Sequence, residues 1–130
     1  MSVRRPYRLV VVAVAVVLLG ACGGGGGGGG KAYQEPKGPA RETIKIEAGN
    51  FYFKPDTVTT TPGIVNLELE DAGGLHTLVF DGAEAGFQLE VGGATKTDTK
   101  KIRLSPGKYT FFCDIPGHRA AGMHGTITVK

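Results

Sequence analysis

The segment FFCDIPGHRAAGMHG, Phe111 to Gly125, gathers side chains that are scarce in the rest of the chain. The 130-residue sequence has two cysteines, two methionines and three histidines. Cys113, His118, Met123 and His124 all fall in this one segment, and the other methionine is the initiator. The spacing is Cys-x4-His-x4-Met. The remaining histidine, His76, stands far upstream in GGLHTLVF. Taken singly, each residue has an ordinary reading. A histidine on an apolar strand is usually a satisfied core residue, a cysteine among aromatics behaves as a small buried apolar group, and one methionine means little.

Taken together they are a donor set. Cu(I) is soft and prefers sulfur, whereas Cu(II) favours imidazole nitrogen and tetragonal geometry. One thiolate, two imidazoles and one thioether give an environment acceptable to both oxidation states, so that little has to move when a single electron arrives or leaves. Zinc would call for several cysteines, or for histidine with carboxylate, and gives no reason for a methionine. His124 reads as a turn residue whose side chain points one direction away from the set.

The elements that must position these residues read as strands. From Glu42 onward apolar residues recur with period two between turn signals, and no helical stripe exceeds a turn or two. ETIKIEA places Ile44 and Ile46 on one face, IVNLELE places Val65, Leu67 and Leu69, and LHTLVFDG puts His76 in phase with Leu78 and Phe80. FQLEV, KIRLSPG, KYTFFC and GTITV continue the pattern, with Cys113 in phase with Tyr109 and Phe111. About seven to nine short strands predict an all-β fold, a Greek-key antiparallel β-sandwich. The aromatics at 51, 53, 80, 87, 109 and 111 are expected to fill much of its core.

The N-terminal part has a different character. Arg4, Arg5 and Arg8 precede LVVVAVAVVLL, a run too short for a membrane span of roughly 20 residues but laid out as an export signal. It ends in LGAC, which resembles the lipobox of bacterial lipoproteins, a family in which the cysteine is acylated. Residues 1–22 are therefore expected to be a lipoprotein-type signal with Cys22 as the lipidation site. Residues 23–41, beginning with eight glycines, are expected to be a flexible linker with a reach of roughly 25 Å, and residues 42–130 the folded domain. Three of the fifteen basic residues lie in the signal, leaving twelve against twelve acidic ones. No basic stripe suggests nucleic acid. With Cys22 assigned to the anchor, Cys113 is a lone thiol in an exported protein and has no disulfide partner.

The loop CDIPGHRAAGM resembles that of the cupredoxins, the small blue copper proteins. Its ligand spacing is that of rusticyanin- and auracyanin-like members, longer than the Cys-x2-His loop of plastocyanin. FYFKPDTVTTTPG is similar to the family's second-strand region. The resemblance implies one copper ion held by Cys113 as thiolate, His76 and His118 as imidazoles and Met123 as axial thioether. It also implies one-electron transfer without substrate turnover. By the same analogy the His118 edge is the electron port, with Pro116, Gly117, Ala120 and Ala121 forming a flat docking patch for a redox partner such as a cytochrome or oxidase. The chain is expected to be a monomer tethered by lipid to the outer face of the cytoplasmic membrane. One departure stands out. Many members carry Asn after the first histidine to brace the cysteine loop, and this chain has Thr77. A copper carrier is the alternative reading. An oxidase or nitrite reductase would need a second copper centre, for which only His124 is left over, and a metal-free adhesive sandwich would not depend on Cys113.

Overall fold

Nine segments with alternating apolar residues pair into two sheets in the computed structural model, which describes residues 32–130. In chain order they are β1 (Thr43–Gly49), β2 (Tyr52–Lys54), β3 (Thr57–Thr60), β4 (Gly63–Asp71) and β5 (His76–Phe80), then β6 (Leu89–Val91), β7 (Thr97–Leu104), β8 (Gly107–Phe112) and β9 (His124–Val129). One sheet has the order β2-β1-β4-β7 and the other β3-β9-β8-β5-β6. Among the described residues there is no helix, and hence none long and apolar enough to cross a membrane.

The expected sandwich is present, with one refinement of strand direction. Most pairings are antiparallel, but β1 runs parallel to β4 and β3 parallel to β9. Period-two alternation looks the same in either direction, so only the crossover connections reveal it. β2 ends at Lys54, before Pro55, and lies on a sheet edge, where a missing N–H costs no ladder bond.

The two inner faces meet in one core. Ile44, Ile46, Val65, Leu67, Leu69, Ile102 and Leu104 come from the first sheet, and Leu78, Leu89, Val91, Phe111 and Ile127 from the second. Each such side chain stabilises the fold by about 1.5–3 kcal/mol relative to exposure. The aromatic expectation needs correction at one end. Phe53, Phe80, Phe87 and Phe111 are buried and Tyr109 is half-buried, but Phe51 is 51% exposed. The alternation of β1 stops at Gly49, and Phe51 sits in the following turn with φ 61°, which swings its ring outward.

Part of the expected linker also behaves differently. Tyr33 packs edge-on against Phe87 with ring centroids 5.0 Å apart, and its hydroxyl donates to the Lys101 carbonyl at 2.9 Å. The Glu35 carboxylate accepts the Lys101 N–H at 3.0 Å. β7 is an edge strand, so these bonds satisfy backbone groups that no neighbouring strand can reach. Burial, with Glu84 and Glu35 nearby, pushes the Tyr33 phenol up to about 12.

Candidate metal centre

Four connections converge at one end of the sandwich: β1–β2, β4–β5, β6–β7 and β8–β9. The β8–β9 loop carries three of the four candidate residues, and its shape follows from its sequence. Pro116 and Gly117 occupy the middle of a turn closed by His118 N–H to Ile115 O at 3.0 Å. Pro fixes φ at the first central position, and Gly117 supplies the positive φ (87°) that a type II turn needs at the second. A single helical turn follows and ends in a Schellman motif. Gly122, with φ 106°, donates to Arg119 O at 3.0 Å, and Met123 donates to His118 O at 3.0 Å. Cys113 N–H then donates to Met123 O at 3.1 Å. Backbone bonds therefore tie Cys113 to Met123 and Met123 to His118.

His76 arrives from the first residue of β5 and is 2% exposed. One ligand atom from each of His76, Cys113 and His118 lies within 4.8 Å of the others. Cys113 Sγ is 3.4 Å from His118 Nδ1, and the two imidazole centroids are 5.3 Å apart. Cys113 and Met123 are fully buried, while His118 is half-buried with its ring edge-on to Phe51 at 5.1 Å.

The tautomer of His76 follows from its surroundings. Nε2 lies 2.9 Å from the Gly73 carbonyl, which can only accept, so Nε2 carries the proton. Nδ1 then holds a lone pair, and among the described residues it is the one buried side-chain nitrogen or oxygen without a hydrogen-bond partner. An unpaired buried polar atom costs about 1–3 kcal/mol. A metal ligated there removes that cost, and imidazole, thiolate and thioether together suit copper.

Thr77 performs part of the bracing expected of an asparagine. Its N–H donates to Cys113 Sγ at 3.5 Å. Its hydroxyl accepts the Asp114 N–H at 3.1 Å and donates to Asp114 Oδ1 at 2.5 Å. The hydroxyl has one proton, and the short bond to a carboxylate takes it in preference to the sulfur at 3.6 Å. Thr77 is 4% exposed because the start of the ligand loop lies over it.

Pro116, Gly117, Ala120 and Ala121, the residues expected to form a docking patch, are all exposed. Three further neighbours were not among the sequence candidates. Phe51, Leu75 (57% exposed) and Ile115 line a shallow cavity of about 320 Å³ with His76 and His118. His124 is exposed at the start of β9 and lies outside the ligand cluster. Cys22 falls outside the described residues.

A sequence model of copper-binding proteins, the plastocyanin/azurin family, matches residues 40–130. The chain belongs to that family. Plastocyanin from Dryopteris crassirhizoma is 35% identical over 105 residues, covering 70% of this chain and all of the relative. Auracyanin B aligns with a TM-score of 0.60 at 20% identity, covering 78% of this chain and 96% of the other. The Na-dithionite-reduced auracyanin of the photosynthetic bacterium Roseiflexus castenholzii gives 0.58 at 20% identity, covering 71% and 99%. At such identities the auracyanins speak for the shared fold alone. In this cupredoxin His76, Cys113, His118 and Met123 are arranged as a type I copper site.

Proposed function

We propose that this protein is a one-electron carrier, with His76, Cys113 and His118 as the close copper ligands and Met123 as the axial one. When bound, copper supplies the Cu(I)/Cu(II) couple. The observation that carries the reading is the backbone tying of Cys113, Met123 and His118 beside an imidazole whose Nδ1 has no other partner. A donor set fixed by the fold cannot rearrange to suit one oxidation state, which keeps reorganisation small. Family membership supports a carrier with no substrate turned over.

The half-buried His118 ring is the natural port. Phe51, Leu75 and Ile115 on one side and Pro116, Gly117, Ala120 and Ala121 on the other offer a surface of apolar and small residues. Such a surface suits brief contact with a redox partner, whose interfaces are at the small end of the range. Export and lipidation at Cys22 complete the proposal, placing the domain outside the cytoplasmic membrane on a glycine tether. This rests on the signal-like run and LGAC.

Electron carriage and copper delivery are separated by one experiment on the copper-loaded protein. Reversible one-electron voltammetry with fast self-exchange, and no loss of copper to an apo-acceptor over the same time, is the expected result. Copper release to the acceptor with sluggish redox cycling would overturn the carrier reading.

A further inference from the structure

Three ligands share a self-bonded loop, but His76 is held from outside it. Its ring is fixed by the Gly73 carbonyl, which lies in the sequence Asp71-Ala72-Gly73-Gly74. Gly73 and Gly74 both have positive φ (124° and 100°), and two glycines in succession give the backbone more freedom than any other pair. Something must hold the Gly73 peptide if its carbonyl is to hold a ring. Asp71 is placed to do so. Its Oδ1 accepts the Gly73 N–H at 2.7 Å, and its Oδ2 accepts from Lys96 Nζ at 2.7 Å. The Asp71 side chain is only 3% exposed. The Asp71 N–H donates in turn to Lys96 O at 2.9 Å, tying the same two residues through the main chain.

The surroundings leave the loop little alternative. A Cβ on Gly74 would lie 2.9 Å from His76 Nε2, and one on Gly92 would lie 2.8 Å from Gly74 O. The β6–β7 connection thus supports the loop from behind with Gly92 and grips it with Lys96. The Lys96 hydrogen bond, aided by the Gly73 N–H, holds the Asp71 carboxyl below its usual range. It is therefore the charged acceptor, which makes the stronger bonds.

We infer that Asp71 is a positioning residue for His76, acting through the Gly73 peptide and anchored by Lys96, and that it sets the tautomer and aim of the imidazole before any metal binds. This rests on the copper-site reading for its purpose but not for its geometry. Outer partners of ligating histidines typically contribute 10–100-fold in metal affinity. Asp71 stands one step further out, so an effect of about tenfold is expected.

The test compares wild type with Asp71→Ala, Asp71→Asn and Lys96→Met, first without metal. Nitrogen and proton NMR of the His76 ring reads its tautomer and the solvent exchange of Nε2–H. In Asp71→Ala, exchange is expected to quicken about tenfold, with a mixed tautomer and about tenfold faster loss of copper from the loaded protein to a chelator. Asp71→Asn keeps an acceptor for the Gly73 N–H but turns its NH2 towards Lys96 Nζ, so it loses that bond and is expected to match Lys96→Met. Lys96→Met is expected to speed exchange about two- to threefold. Unchanged Nε2–H exchange in a folded Asp71→Ala overturns the inference. Should that variant not fold, unchanged exchange in Lys96→Met overturns it instead. If the proposed copper function fails, the metal-free ring measurements still decide the role of Asp71. If Asp71 has no such role, copper binds Asp71→Ala as it binds wild type.

Discussion

The two arms of the copper site are built on different principles. The β8–β9 arm holds Cys113, His118 and Met123 within one short loop, closed by a Pro-Gly turn, a Schellman motif and one bond from Cys113 to Met123. The β4–β5 arm holds only His76, and its loop is supported by Gly92 and Lys96 of the β6–β7 connection, distant in sequence. The first arm is local and self-sufficient; the second depends on tertiary packing. A change inside the β8–β9 loop should therefore disturb three ligands modestly, whereas a change behind the β4–β5 loop should disturb one ligand strongly and the fold with it.

The sharpest way to break this comparison is at Gly92. With φ 137° and a new Cβ 2.8 Å from both Gly74 O and Leu75 Cα, Gly92→Ala combines backbone strain with a backbone clash. It is expected to cost about 2–4 kcal/mol in denaturant unfolding, and to weaken copper binding by displacing His76. Gly122→Ala is the matching change in the other arm. Nothing lies within 4 Å of the added Cβ, so only the strain of φ 106° remains, about 1–2 kcal/mol. A larger loss at Gly122 than at Gly92, in stability and copper affinity alike, would reverse the proposed order of the two arms.

The point where the arms meet is the Thr77–Asp114 pair. Thr77→Val removes both hydroxyl bonds but keeps the N–H to Cys113 Sγ. The expected loss is about 1 kcal/mol, with a shifted charge-transfer band and reduction potential. Thr77→Asn, which can again both donate and accept, is expected to restore most of the stability. Spectra and voltammetry of the two variants check this.

The smallest effect concerns the strap at 33–41, remote from the metal. The folded Tyr33 pKa of about 12 lies above the ordinary value near 10. Its contribution to stability is therefore fully present below about pH 10 and is lost as pH rises towards about 12. The stability difference between wild type and Tyr33→Phe should be constant up to about pH 10 and change only above it, as read from thermal midpoints.

The same contrast explains what the sequence made legible. Strands with strict alternation, such as Ile44–Ile46 and Val65–Leu67–Leu69, announce themselves because the pleat maps directly onto the residue order. The β8–β9 loop was readable because its turn chemistry and three of its ligands lie within eleven consecutive letters, CDIPGHRAAGM. Strand direction was not, since alternation is blind to it. Phe51 was misplaced because a period-two reading ran on through a turn. Asp71 and Asp114 gave no signal at all. A charged residue at a strand end or beside a ligand looks like surface until the partner that meets it, Lys96 or Thr77, is known. The strap was hidden for the same reason: Glu35 meets Lys101 across 66 residues.

The central claim is that the fold presents two imidazoles, a thiolate and a thioether to one copper ion. Titrating the purified metal-free protein with Cu(II), while recording visible absorption and electron paramagnetic resonance, tests it most directly. The account predicts saturation at one copper per chain with an intense visible thiolate-to-copper band that Cys113→Ser abolishes. A colourless complex, or the weak spectrum of tetragonal Cu(II) unchanged by Cys113→Ser, would contradict it.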